Sequence, residues 1–231
     1  MSFYQFRTIK RGEFFVIAGD TSTGAGDWST TQFLSKNGKD VPLVYRTKST
    51  ATEMTNEIHP IIEKLFDVTG IKPVVAYERN NGGSFEMDRL GTLNRLGKYT
   101  LFEMNENRGN IEDKESRMYG WDTNTATRPK MLGDLQEVIN KRLLKIYDEV
   151  TINEMFSFIK VRTSTLYKAQ ADKGAHDDHV MSLAIAWQLY LYTPTLNQVQ
   201  AYRTGGRGQF PGVDRTKRES KTVGRFGHVY K

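Results

Sequence analysis

Phe14-Phe15-Val16-Ile17-Ala18-Gly19-Asp20 is an almost unbroken apolar run that ends in an acid. A short run without polar alternation predicts a strand buried on both faces of a sheet. Thr21 to Asp27 is a polar, Gly-containing turn. Trp28–Leu34 and Val41–Arg46 read as the next two strands, joined by a hairpin turn at Asn37-Gly38. From Thr50 to Thr69 the period changes. Met54, Ile58, Ile61, Ile62, Leu65 and Phe66 fall at helical spacing, and Gly70 stands where a C-terminal cap belongs.

Pro73 to Glu78 is a second apolar run ending in an acid, followed by the turn Asn80-Asn81-Gly82-Gly83. Ser84 opens a helix carrying Phe85, Met87, Leu90, Leu93 and Leu96, and Gly97 closes it. Tyr99–Met104 is a further strand and Asn105–Gly120 a polar loop. Thr127–Leu144 is a helix, Ile152–Phe158 a short element, and Ile159–Ala169 a hairpin. Asp177–Tyr192 is apolar on most sides, so it predicts a largely buried helix. The order predicts an α/β fold: a mixed five-stranded central sheet with helices on both faces, plus a hairpin before the final buried helix. Residues 1–200 form the expected domain. The Gly-, Arg- and Lys-rich stretch 201–231 is expected to be a flexible tail.

Charge changes this picture only at its end. The formal net charge is +6. Residues 201–231 hold eight Lys/Arg against Asp214 and Glu219, which is the whole excess. The remaining residues carry 25 bases and 25 acids, so a nucleic-acid-binding face on the domain must come from local placement of charge. There is no cysteine, which excludes disulfides and thiolate metal sites. The first residues lack the apolar core of a secretory leader, and no run is long enough to span a bilayer.

The candidate chemistry is acidic. Asp20 and Glu78 each end a buried strand, at the edge where sites of open α/β sheets gather. His176-Asp177-Asp178 stands at the start of the buried final helix. A carboxylate at the end of an apolar run is costly unless it meets a cation or donors. Three of them converging suit Mg²⁺ or Mn²⁺, which favour oxygen ligands and keep water positions open. Two such ions can hydrolyse a phosphodiester without a Ser, Cys or Lys nucleophile. Each acid taken alone also has a structural reading. Asp20 suits a turn, Glu78 suits pairing with Arg79, and Asp177 suits an N-cap with Asp178 in the first turn.

Several segments form a set: strand-end Asp20, Val75-Ala76-Tyr77-Glu78-Arg79-Asn80-Asn81-Gly82, Gly120-Trp121 with Thr127-Arg128-Pro129-Lys130-Met131, and Gly174-Ala175-His176-Asp177-Asp178. Together, over roughly residues 14–192, they resemble the nuclease domain of the bacteriophage large terminase. The resemblance implies an RNase H-like fold and a metal-dependent endonuclease that cuts concatemeric viral DNA during genome packaging. It implies that Asp20, Glu78 and Asp178 are catalytic and hold the metals, two ions of Mg²⁺ or Mn²⁺, with Asp177 assisting the second. It further implies double-stranded DNA as substrate, a portal and a small terminase subunit as partners, and work at the packaging motor in the host cytoplasm. The family's ATPase motor has no counterpart, because the chain contains no GxxxxGK[ST] phosphate loop. The expectation is an isolated nuclease domain of a longer protein.

Arg79, Arg128, Lys130, Lys160, Arg162, Lys168 and Lys173 are the candidate contacts to the DNA backbone. Trp121 and Trp187 read as core or loop anchors. Two other classes remain open: another RNase H-like nuclease, such as a junction resolvase or hybrid nuclease, and a non-catalytic DNA-binding module.

Overall fold

The computed structural model describes residues 2–24, 26–104, 118–162, 167–171 and 176–194, the backbone alone within 158–171. The strands are β1 (Ser2–Gln5), β2 (Phe15–Asp20), β3 (Ser29–Ser35), β4 (Asp40–Thr47), β5 (Val74–Tyr77), β6 (Thr100–Leu101), β7 (Lys145–Ile146), β8 (Phe158–Arg162) and β9 (Tyr167–Ala171). The helices are α1 (Ala51–Thr69), α2 (Gly83–Leu93), α3 (Thr127–Asn140), α4 (Glu149–Ser157) and α5 (Asp178–Tyr192).

β2 lies at the centre of the sheet because all six of its residues are buried. It pairs antiparallel with β3 and parallel with β5. The order is β1-β4-β3-β2-β5-β6, with β7 added to β4, so the sheet has seven strands where five were expected. The two extra strands, β1 and β7, are four and two residues long and carry no periodicity a sequence can display. β8 and β9 form the separate hairpin expected before the last helix.

Side chains of β2 alternate between two cores, as the period of two requires. Phe15 and Ile17 pack with Met54, Ile58 and Ile62 of α1 and with Met87 and Leu90 of α2. Val16 and Ala18 pack with α3 and α5. Gly19 carries no side chain because the Tyr77 ring lies across it; a Cβ there would stand 2.6 Å from Tyr77 Cδ1. α1 starts in a capping box made by Thr50 and Glu53 and ends at Gly70, whose φ of 72° suits the left-handed cap. α5 is buried without interruption from His179 to Leu189 because strands, α3 and α4 cover it from different sides. Trp121 and Trp187 are buried in this second core, as anchors.

Two expected boundaries shift. α2 ends at Leu93 with Asn94 as its cap, and Gly97 terminates the following turn. Leu96 and Phe85 are about 70% exposed instead of inside. α3 stops at Asn140, before the expected Leu144, because the chain turns through Arg142 at positive φ to reach β7. The expected loop 105–120 lies outside the described residues up to 117, and the tail 201–231 lies outside them entirely. Among the described residues no helix is long and apolar enough to cross a membrane.

Leu183, fully buried where α5 meets the sheet, should cost about 2–5 kcal/mol on truncation to Ala. Leu96→Ala should change stability by less than about 0.5 kcal/mol. Urea unfolding followed by circular dichroism measures both.

Candidate metal-binding active site

β2 and β5 run parallel and adjacent, with Gly19 opposite Tyr77. Their next residues, Asp20 and Glu78, therefore leave the sheet together at its carboxyl edge. The Glu78 N–H donates to the Gly19 carbonyl at 2.7 Å, extending the pairing into the site. Both acids are only 7% exposed. α5 brings Asp178 to the same edge. Its carboxylate accepts from the Trp28 N–H at 3.2 Å, and the Thr30 hydroxyl donates to its carbonyl at 2.9 Å.

These acids line a polar cleft of about 320 Å³, together with Asp177, Asp27, Asn80 and Arg128. The three acids expected to hold metal, and Asp177, are thus gathered in one place. Asp177 carries the N-cap position of α5 without making a side-chain cap hydrogen bond. Its carboxylate instead receives Arg128 Nη2 at 2.8 Å.

The turn after Glu78 is shaped by its sequence. Asn81 and Gly82 both adopt positive φ, 51° and 89°, which Asn and Gly tolerate. Gly83 then passes so close to the strand end that a Cβ would fall 1.7 Å from the Glu78 carbonyl oxygen. Asn80 Nδ2 donates to Glu78 Oε1 at 3.1 Å and so orients it.

Electrostatics make the cluster demanding. Burial is the largest influence on Asp20 and pushes its carboxyl well above the ordinary range; Glu78, in hydrogen-bonding contact with it, and then Asp178 and Asp177 push the same way. Asp178 is raised to about 6, first by burial, against the opposing Trp28 N–H, with Glu154, Asp177 and Asp27 adding to the rise. Each of these carboxylates needs a proton or a cation to rest here. The donor set is oxygen only, in a polar cleft, which fits a hard divalent ion. Asp20, Glu78 and Asp178 would hold it. Among the described residues, no three His, Asp or Glu side chains already close around one point.

Of the basic residues expected at DNA, only Arg128 lines the cleft among the described residues, and its buried Nε has no hydrogen-bond partner. Arg79 donates to the Tyr119 carbonyl at 3.1 Å. Lys130 bonds Asp134 at 2.7 Å and lies over the Tyr192 ring. The backbone of Lys160, Arg162 and Lys168 lies on the hairpin, with side chains outside those described; Lys173 is outside the described residues altogether. Sequence reasoning missed Asp27 and Asn80. Asp27 was absorbed in a turn, and Asn80 was read only for its conformation. His176 stands 3.7 Å from both Asp27 and Asp178.

A folded-state pKa raised above the unfolded value favours the protonated protein. The stability contributed by Asp178 is complete below about pH 4 and is lost as pH rises through about 6. Asp178→Asn in EDTA should therefore melt close to the unaltered protein near pH 4 and higher than it above about pH 7. Thermal melts across pH measure the difference, and a gap that is flat with pH contradicts this account.

No protein-family model matches the chain, and no curated protein matches it in sequence. Solved structures do match. The terminase nuclease domain of Thermus phage P74-26 superposes with a TM-score of 0.56 at 17% identity, covering 81% of this chain and 88% of that one. The large terminase nuclease of thermophilic phage G20c with bound cobalt gives 0.54 at 16% identity, covering 80% and 84%. The manganese-soaked human cytomegalovirus terminase nuclease domain gives 0.50 at 12% identity, covering 80% and 90%. The chain has the RNase H-like α/β fold of the terminase nuclease domains, over about four-fifths of its length.

Proposed function

We propose that this protein is a metal-dependent endonuclease that cleaves double-stranded DNA during viral genome packaging. The observation that carries the reading is the convergence of Asp20, Glu78 and Asp178, two of them buried, in one polar cleft. The solved neighbours support it: they are terminase nucleases, one with bound cobalt, one with bound magnesium and one soaked in manganese.

Two Mg²⁺ or Mn²⁺ ions, when bound, would supply the activated water and stabilise the leaving oxygen of a phosphodiester. The residues of the chain do the rest. Asp20 and Glu78, fixed by the parallel strand pair, set the spacing of the donors. Asp178 approaches from the helix side. Arg128, held beside them by Asp177, is the cation best placed to meet a backbone phosphate. Arg79, Lys130, Lys160, Arg162, Lys168 and Lys173 are proposed as further contacts to the DNA backbone, which fix register without reading sequence. Concatemeric viral DNA is the assigned substrate. The portal and small terminase subunit are the assigned partners, in the host cytoplasm.

Supercoiled plasmid incubated with Mn²⁺ should be nicked and then linearised, and EDTA should abolish cutting. Asp20→Ala should lower the rate at least about 100-fold, equivalent to roughly 2.7 kcal/mol of transition-state stabilisation. Equal nicking by both proteins, or by neither, makes the acids structural. A strong preference for four-way junctions or RNA/DNA hybrids over plasmid assigns the site a different nucleic acid.

A further inference from the structure

α5 begins at Asp178, and a helix start leaves backbone N–H groups without partners. Asp177 holds the N-cap position yet caps nothing with its side chain. The cap comes from elsewhere. Glu154, on α4, accepts the His179 N–H at 2.8 Å and the Val180 N–H at 3.3 Å through Oε2. Its other oxygen meets His179 Nδ1 at 2.6 Å. Glu154 is 8% exposed and His179 fully buried.

The chain of contacts continues. His179 Nε2 stands 3.4 Å from Arg46 Nη1, and Arg46 bonds both oxygens of Asp148 at 3.1 and 3.4 Å. A guanidinium only donates, so Nε2 accepts and Nδ1–H faces Glu154. Asp148 in turn caps α4, accepting the Thr151 N–H at 2.9 Å and its hydroxyl at 2.8 Å. One buried polar network therefore ties β4, the start of α4 and the start of α5 together.

We infer that Glu154 is a positioning residue for metal binding: it caps α5 from outside, which frees Asp177 and Asp178 from capping duty and fixes Asp178 toward the cleft. A carboxylate at this place also favours the positive end of the helix dipole. Had Asp177 capped its own helix, its carboxylate would have turned to the backbone and away from Arg128. The inference rests on the reading of Asp178 as a metal ligand.

The test is Mn²⁺ titration of the full chain by calorimetry, on the unaltered protein, Glu154→Gln, Glu154→Ala and Asp178→Asn, with thermal melts in EDTA alongside. Gln keeps the shape and one strong acceptor, so it should fold. Supporting groups of this kind alter metal affinity roughly 10- to 100-fold, and Glu154→Gln should weaken Mn²⁺ at least tenfold. Plasmid nicking should then need correspondingly more Mn²⁺ and recover at saturation. Unchanged Mn²⁺ affinity in Glu154→Gln overturns the inference, whatever its melting temperature, because a merely structural residue shifts the melt alone. If Glu154→Ala does not fold, the Gln variant decides. If Asp178→Asn binds Mn²⁺ like the unaltered protein, or the unaltered protein does not bind it, the metal reading itself fails and takes this inference with it.

Discussion

Asp20 and Glu78 stand together because β2 and β5 are parallel neighbours in register, and neither acid can withdraw without breaking the sheet that carries it. Water would ordinarily stabilise two such charges, but both are buried at the strand ends. The third acid arrives on a helix that is itself buried for eleven consecutive residues, so it too is fixed. A fold optimised for stability alone would place apolar or singly paired groups here, since like charges brought out of water raise one another's proton affinity. The surrounding architecture is what makes the conflict permanent: two apolar cores, one on each face of β2, hold the edge rigid.

Around this conflict the remaining polar groups fall into two sets. One opens to the cleft: Asn80 orients Glu78, Arg128 occupies Asp177, and the Trp28 N–H supports Asp178. The other is sealed behind α5 and runs through Glu154, His179, Arg46 and Asp148. The sealed set satisfies its own donors and acceptors, as buried polar groups must. The open set leaves carboxylates without enough donors, which is the arrangement expected of a cation site. In the proposed reading, Arg128 and bound cations, not bulk charge, would meet a polyanion, because residues 1–200 carry 25 bases and 25 acids.

Much of this was legible in the sequence, for a physical reason in each case. The run Phe14–Asp20 is apolar because both faces of β2 are covered, so centrality could be read directly. Helical spacing of apolar residues over Thr50–Thr69 and the cap at Gly70 marked α1, and the structure adds the Thr50–Glu53 capping box at its start. The positions of Asp20, Glu78 and Asp178 at element ends placed them at one edge once a parallel pair was assumed. What could not be read depends on contacts distant along the chain. β1 and β7 exist only because β4 offers them an edge. Glu154 caps a helix 25 residues away, and Arg46 meets Asp148 across 102 residues. The end of α2 at Leu93 was obscured because Leu96 continues the apolar spacing while pointing to solvent. Asp27 reaches the cleft through a loop whose composition signals only a turn.

The most direct test of the central claim is a crystal of the full chain soaked in Mn²⁺, with the anomalous signal of manganese located in the map. The account predicts density between the carboxylates of Asp20, Glu78 and Asp178, lost from crystals of the Asp20→Asn variant. Manganese bound elsewhere, or an unchanged peak in the variant, would contradict it.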